Sequence, residues 1–297
     1  MVYSNVKFLL AIGSKEYSEP TLIVGSLIAK TFKADLSLVY VGEKPKQIFE
    51  GRIKLSRDSL AKWEIYHPGI EVLKWAFKYL QSSGYLETTD GNGFNPENIV
   101  EEHNRYRLVL QGSFGRDVDL ILREGKIIDE LRKECFEQEY TLTIIGGSKK
   151  RRMAHDLVQY LPTSIFVVQN LDPTKQYKLL LCVDDSKATK SAVRFGATIA
   201  KNQGMFVNTL TVSKTTQFGK GYRGAAKAAG RYLKSQKIPF EQHFITGDPV
   251  KTFLDFAGDD HIIMMGDSKQ SPLIKFFFGS KPIKTLKKAS CPILIVR

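Results

Sequence analysis

Cysteine is scarce. Three stand in 297 residues, Cys135, Cys182 and Cys291, and no two form a C-x-x-C pair. An odd, scattered set argues against a disulfide framework and against a zinc cluster, and for a reduced, cytoplasmic setting. Long apolar runs are also missing. None approaches the ~18–20 residues that a membrane-spanning helix needs. The run Phe8 to Ile12 is too short for a secretory leader and is broken by Gly13-Ser14-Lys15-Glu16. The five histidines, His67, His103, His155, His243 and His261, show no metal-ligand spacing. There is no G-x-S-x-G elbow and no Walker lysine motif, and Asp259-Asp260 sits where a turn precedes a strand. Nothing supplies a base to activate water, so no enzyme activity beyond slow hydrolysis of a bound ligand is expected.

Acid is what the second half lacks. Residues 1–170 hold 23 Lys and Arg against 22 Asp and Glu, whereas residues 171–297 hold 21 against 9. Nearly all of the net charge of +13 therefore sits in the second half. That imbalance points to an anionic ligand, partner or surface for this half. Apolar content of 42% is ample for globular cores.

What is present is a repeated α/β pattern. Val6 to Ile12 reads as a strand, residues 17–33 as a helix through Leu22, Ile23, Leu27, Ile28 and Phe32, and Leu36 to Val41 as a second strand. This opening predicts a parallel sheet. Residues 43–117 read as an insertion or an elaborated crossover. It holds a helix over Ile70 to Leu80, a turn-rich break over Asp90 to Pro96, and a segment, Arg105 to Gln111, that suits a strand or a helix equally. The pattern resumes with a strand over Val118 to Arg123. A helix over Gly125 to Gln138 follows, with Ile127, Ile128 and Leu131 as its apolar stripe, then strands over Tyr140 to Ile145 and Ser164 to Val168. After the polar linker Asn170 to Gln176 the chain repeats itself, with strands at Tyr177 to Val183, Met205 to Val212, Phe240 to Thr246 and His261 to Met265, and helices between them. Asp248 and Pro249 stand as N-cap and first residue of one of these helices. Ala11 to Ser14 occupies the place of Val183 to Ser186, and Thr143 to Gly146 that of Ile263 to Gly266. An internal duplication with a period near half the chain accounts for this.

The second copy ends on a stretch with specific spacing, GDSKQSPLIKFFFGSKPIKTLKKASCPILIVR, Gly266 to Arg297. A buried run stops at Gly266, and a loop leads to Gly279-Ser280 at the start of a helical pattern. The run Cys291-Pro292-Ile293-Leu294-Ile295-Val296 then closes the chain. A Gly-Ser pair opening a helix presents free N–H donors and the positive end of the helix dipole, which suits a phosphate. The whole stretch resembles the nucleotide loop of the universal stress protein family, G-x2-G-x9-G-[S/T], with Lys269 in place of the middle glycine. The resemblance covers 177–297 and extends, more loosely, over 1–42 and 118–169.

That resemblance implies two tandem Rossmann-like domains of the adenine nucleotide alpha hydrolase-like type, 1–170 with the insertion at about 43–117, and 171–297. Each would be a five-stranded, mostly parallel sheet with helices on both faces. It also implies an adenine nucleotide, ATP or AMP, with Mg accompanying ATP, held in the second copy as a regulatory ligand of a stress-response protein. Asp184 would face adenine and ribose, Val212 would offer its backbone to adenine, and Gly266, Lys269, Gly279 and Ser280 would hold the phosphates. Lys269 cuts both ways, as an ammonium beside phosphates or as bulk in their channel, and Asp267 would repel an anion. Asp184 also reads as a helix cap, a role that Ser186 fits as well. In the first copy Ile12 takes the place of the aspartate, and Gln159 and Tyr160 that of Gly-Ser. Lys149-Lys150-Arg151-Arg152 follows its glycines and reads as a solvated loop or an anion site.

Two other patterns compete. Gly219-Lys220-Gly221-Tyr222-Arg223-Gly224 fits the dinucleotide fingerprint G-x-G-x-x-G, but six residues, Ser213 to Phe218, separate it from its strand. In the helix over 219–236, Lys220, Arg223, Lys227, Arg231 and Lys234 fall on one stripe, with no Asp or Glu from Gly219 to Pro239. The sequence thus leaves open a nucleotide-binding regulator and a nucleotide-free scaffold. In the second case the halves pack as a pseudo-dimer through their last strands, with further homodimerisation in reach, and the basic half docks an acidic partner.

Overall fold

The computed structural model describes residues 6–42, 68–89, 91–95, 98–102, 105–113, 115–146, 157, 160–267 and 291–297. They fall into two compact units. One takes the chain up to Gly146 together with Tyr160–Pro162, and the other includes Thr163–Arg297.

In the first unit, β1 (Lys7–Ile12), α1 (Lys15–Phe32) and β2 (Asp35–Gly42) form the expected opening. α2 (Pro68–Ser82), the strands β3 (Val100–Glu102), β4 (Arg105–Gly112) and β5 (Arg116–Glu124), α3 (Ile127–Glu137) and β6 (Leu142–Gly146) follow. The strand order is β6-β1-β2-β5-β4-β3. β6, β1, β2 and β5 run parallel. β4 and β3 return antiparallel at the edge. Arg105 to Gln111 is therefore a strand. Its alternation of Leu108 and Leu110 inward against Val109 and Gln111 outward is the period-2 signal that decides it.

The apolar stripe expected on α3 is corrected by the structure. Ile127 is exposed, while Leu131, Cys135, Glu130 and Glu134 face inward. The helix is held to the sheet largely by charge. Glu134, wholly buried, accepts hydrogen bonds from Arg105 Nε at 3.0 Å and Nη2 at 3.1 Å, from Arg123 Nε at 2.7 Å and from the Tyr140 hydroxyl at 2.8 Å. Arg123 also reaches Glu130 and Glu137. Beside this cluster Asp119 is paired with Arg107 at 2.7 Å and accepts from Ser37. Burial alone would raise the Glu134 carboxyl. The Arg105 hydrogen bond and the charges of Arg105 and Arg123 outweigh it and hold the group below the usual carboxylate range.

In the second unit, β7 (Ser164–Val168), β8 (Lys178–Cys182), α4 (Lys187–Gln203), β9 (Val207–Ser213), α5 (Lys220–Ser235) and β10 (Phe240–Thr246) come first. α6 (Pro249–Ala257), β11 (His261–Gly266) and β12 (Ile293–Val296) complete it. The order is β10-β9-β8-β11-β12-β7. The first five strands are parallel. β7 lies antiparallel to β12, with Leu294 opposite Phe166. α4 and α5 pack against each other on one face of this sheet. α6 makes the return crossover on the other, where the Phe256 ring lies between His243 and His261. Asp248 caps α6 by accepting from Lys251 N–H at 2.9 Å, with Pro249 inside the first turn.

The duplication is visible atom by atom. Gly13 N–H donates to Ser18 Oγ, and Asp184 N–H to Thr189 Oγ1, each five residues ahead. A Cβ on Gly25 would strike Leu10 at 2.5 Å, and one on Gly196 would strike Met264 at 2.7 Å. These pairs share one offset (184 − 13 = 189 − 18 = 196 − 25 = 171). The residue standing in place of Asp184 is therefore Gly13 rather than Ile12. Neither carries a carboxylate, so the first copy lacks one at this position either way.

Candidate functional site

In an open parallel sheet, ligands bind beyond the carboxyl ends of the strands, where the strand order reverses. In the second unit the chain runs β8 to β9 to β10 in one direction and returns to β11 and β12 on the other side of β8. The switch point therefore lies between β8 and β11. Asp184 follows the first of these strands and Gly266 ends the second.

Asp184 is half-buried and held by its own loop. Its Oδ1 accepts from Ser186 N–H at 3.0 Å, from Ser186 Oγ at 2.6 Å and from Thr189 Oγ1. This is an Asx-type turn closed by a second hydroxyl. Ser186 stands at the N-cap of α4 but makes no side-chain capping bond, since its hydroxyl is spent on Asp184. The capping and functional readings of Asp184 thus merge. One carboxylate oxygen orders the strand-to-helix turn, and Oδ2 accepts no hydrogen bond from a described residue.

Val212 has its side chain in the core, 7% exposed. Its backbone is what reaches the site. Leu210 C=O accepts from Val183 N–H on the β8 side, and Ser213 C=O accepts from Gly247 N–H on the β10 side. Alternation then turns the N–H and C=O of Val212 to the β8 side, past the last bond that β8 makes. A main-chain donor and acceptor thus stand beside the Asp184 loop.

Gly266 serves packing first. A Cβ there would lie 2.4 Å from the carbonyl carbon and 2.5 Å from the oxygen of Ala188 in the first turn of α4. Gly146 makes the same approach in the first unit, 3.3 Å from the Tyr17 oxygen. The close contact of helix and strand requires glycine at 266, while at 146 an added Cβ would also press on Thr21 Oγ1 at 2.9 Å. Asp267, expected to repel an anion, is paired with Arg297 Nε at 2.6 Å, so its charge is largely offset. Lys269, Gly279 and Ser280, and the cationic run at 149–152, lie outside the described residues.

The structure adds three residues that the sequence reading passed over: Thr189, Asp185 and Tyr222. The recurrence of a hydroxyl five residues after the strand end, Ser18 and Thr189, is the signal that would have found the first. Asp185 Oδ2 lies where a Cβ on Gly221 would meet it at 2.7 Å. A carboxylate thus sits against the first turn of α5, favourably placed for that helix dipole. Burial and then the charges of Asp185 and Asp184 raise the Tyr222 hydroxyl above its usual range. This arrangement also disposes of the dinucleotide fingerprint. The small residue at 221 makes room for Asp185, Gly224 is exposed with nothing within 4 Å of an added Cβ, and β9 ends six residues before Gly219. A pyrophosphate at that helix start would meet an anion.

Among the described residues no group of three or more His, Cys, Asp or Glu is placed to hold a metal, and no helix is long and apolar enough to cross a membrane. His261, buried, keeps Nδ1 toward the Ala257 carbonyl and the Asp260 carboxylate, both acceptors only. Its Nε2 then accepts from Asn208 Nδ2 at 2.9 Å, and Asn208 Oδ1 faces His243 Nε2 at 3.0 Å. This satisfied chain lies at the opposite, amino end of β11.

Residues 177–297 match the model of the Universal stress protein family. Over the whole chain the fold is similar to a universal stress protein from Archaeoglobus fulgidus, with 14% identity, TM-score 0.62, and coverage of 100% of this chain and 98% of that one. It is also similar to a functionally unknown protein from Pseudomonas aeruginosa, with 12% identity, TM-score 0.58, and coverage of 99% and 93%. At these identities the likeness is one of fold. No curated protein matches the chain.

Proposed function

We propose that this chain is a tandem regulatory protein of the universal stress type. Its second unit binds one adenine nucleotide, ATP or AMP, as a ligand that is not turned over. The observation that carries the reading is Asp184. A carboxylate at the switch point is fixed through Oδ1 by Ser186 and Thr189 while Oδ2 stays unengaged by described residues. Beside it Val212 turns a main-chain donor and acceptor past the end of β8. A ribose hydroxyl or an adenine amino group donates to a carboxylate, and an adenine edge needs one donor and one acceptor, so the donor set fits the nucleoside. The match over 177–297 supports the same reading.

The phosphates would extend past Gly266 toward Lys269, Gly279 and Ser280. Mg would arrive with ATP, held chiefly by the phosphates. The pairing of Asp267 with Arg297 reduces the repulsion that spoke against an anion here. The first unit carries no carboxylate at Gly13 and is assigned no nucleotide.

Equilibrium dialysis of the full chain against ATP and AMP tests the reading. The wild type should retain one nucleotide per chain. Asp184→Asn keeps an oxygen for Ser186 and Thr189 but loses the charge. It should weaken binding by roughly 10–100-fold, the worth of a hydrogen bond to a charged group. Unchanged affinity in Asp184→Asn and in Gly279→Val/Ser280→Ala would remove the assigned site.

A further inference from the structure

The tertiary structure joins two basic stripes that the sequence keeps apart. On α5, Lys220, Arg223, Lys227, Arg231 and Lys234 are all exposed. At ~100° per residue they fall within about 80° of arc. On α4, Lys187, Lys190, Arg194 and Lys201 are exposed as well, and within about 60° of arc. The spacing i, i+3, i+7, i+14 is the same on both helices. α4 and α5 pack side by side on one face of the sheet, with Ala192, Phe195, Ile199, Ala229 and Leu233 turned inward. No Asp or Glu occurs from Lys187 to Phe240. None of these cations pairs with a carboxylate of a described residue.

We infer that this two-helix face is a docking surface for the phosphodiester backbone of duplex nucleic acid. This does not depend on the nucleotide reading. Each row spans fourteen residues, about 21 Å, and neighbouring helix axes lie about 8–10 Å apart. The face therefore carries two rows of cations that recur every one or two helical turns, suited to a ligand with many regularly repeated anions. A duplex carries one charge per ≈ 1.7 Å of axis. A protein partner would call for an apolar centre, and a membrane for apolar anchors among the cations. The large apolar side chains that are exposed, such as Val109, Phe136 and Phe244, lie on other elements, and none is on α4 or α5. The cations stand in rows along two helices, spaced to meet successive phosphates, so recognition is of backbone and not of sequence.

Fluorescence anisotropy of the full chain with labelled 20-base-pair DNA and RNA duplexes, from 50 to 300 mM salt, tests this. Binding of either duplex should fall linearly on a log–log plot. Lys190→Gln/Arg194→Gln/Lys227→Gln/Arg231→Gln, two changes on each helix, should flatten the slope by about 3–4 and weaken binding at least roughly tenfold at 100 mM salt. A second variant removes the same charge elsewhere, at the exposed Lys15, Lys30, Lys78 and Lys126 of the first unit, each changed to Gln. It should keep the wild-type slope. Circular dichroism of each variant establishes that it is folded. Equal loss in both variants would reduce the effect to net charge and overturn the face. Absence of duplex binding, with or without binding to phosphatidylserine vesicles, would overturn it too.

Discussion

Glu134→Gln is the sharpest probe of the first unit, because it removes one charge and almost no volume. In the wild type that carboxylate accepts four hydrogen bonds from Arg105, Arg123 and Tyr140, and the two guanidinium groups are 4% and 1% exposed. The amide keeps one acceptor oxygen and turns a donor toward groups that are themselves donors. Breaking a buried ion pair from one side costs about 3–5 kcal/mol, since the partner is left charged and dry. Arg123 retains Glu130 and Glu137, while among the described residues Arg105 retains only the exposed Glu102 at 3.8 Å, so the loss falls chiefly on Arg105. With a urea m-value of about 2 kcal/mol/M, the midpoint should drop by roughly 1.5–2.5 M. Both tryptophans, Trp63 and Trp75, precede Gly146, so their fluorescence follows this unit. Glu137→Gln is the control. Its side chain is about half exposed on the same helix, and its loss should cost no more than about 1 kcal/mol. The pH dependence has a definite sign. The folded Glu134 carboxyl lies below its unfolded value, so its contribution is complete above the unfolded pKa and is lost as pH falls through the folded one. The gap between wild type and Glu134→Gln should therefore close in acid. A midpoint shift no larger than that of Glu137→Gln would refute the argument that burial makes this carboxylate indispensable.

Three further outcomes can be checked simply. Gly266→Ala should destabilise the second unit by about 1–3 kcal/mol, because the new methyl meets main-chain atoms of Ala188 that cannot turn aside. Gly224→Ala, in open space within α5, should be neutral or stabilising by up to about 1 kcal/mol in thermal melts followed by circular dichroism. The three thiols are buried, which raises Cys182 well above its usual range and Cys135 and Cys291 to about 11. A chromogenic disulfide reagent at pH 8 should therefore find no fast-reacting thiol in the native protein and all three in urea.

The sequence carried the second unit almost completely. Its central strands β8, β11 and β12 are near-continuous apolar runs, its helices have a clear 3.6-residue period, and Asp248-Pro249 is a cap legible in two letters. It misled at α3, where Ile127 and Ile128 look like a buried stripe. A glutamate becomes core material only when arginines arrive from β4 and β5, and no local rule announces that. It left Arg105 to Gln111 open because a seven-residue segment suits either period until a neighbouring strand claims its hydrogen bonds.

By itself the sequence determined the periodicities, the duplication and the concentration of positive charge in one half, since each is a pattern of residue types along the chain that needs no contact to be read. Only the tertiary structure decided what those residues are for. It spent Gly266 on the backbone of Ala188, paired Asp267 with Arg297, set Thr189 to hold Asp184, and brought the cations of α4 alongside those of α5. All but the Thr189 bond join positions distant in sequence, and their energy exists only once the sheet has placed them together.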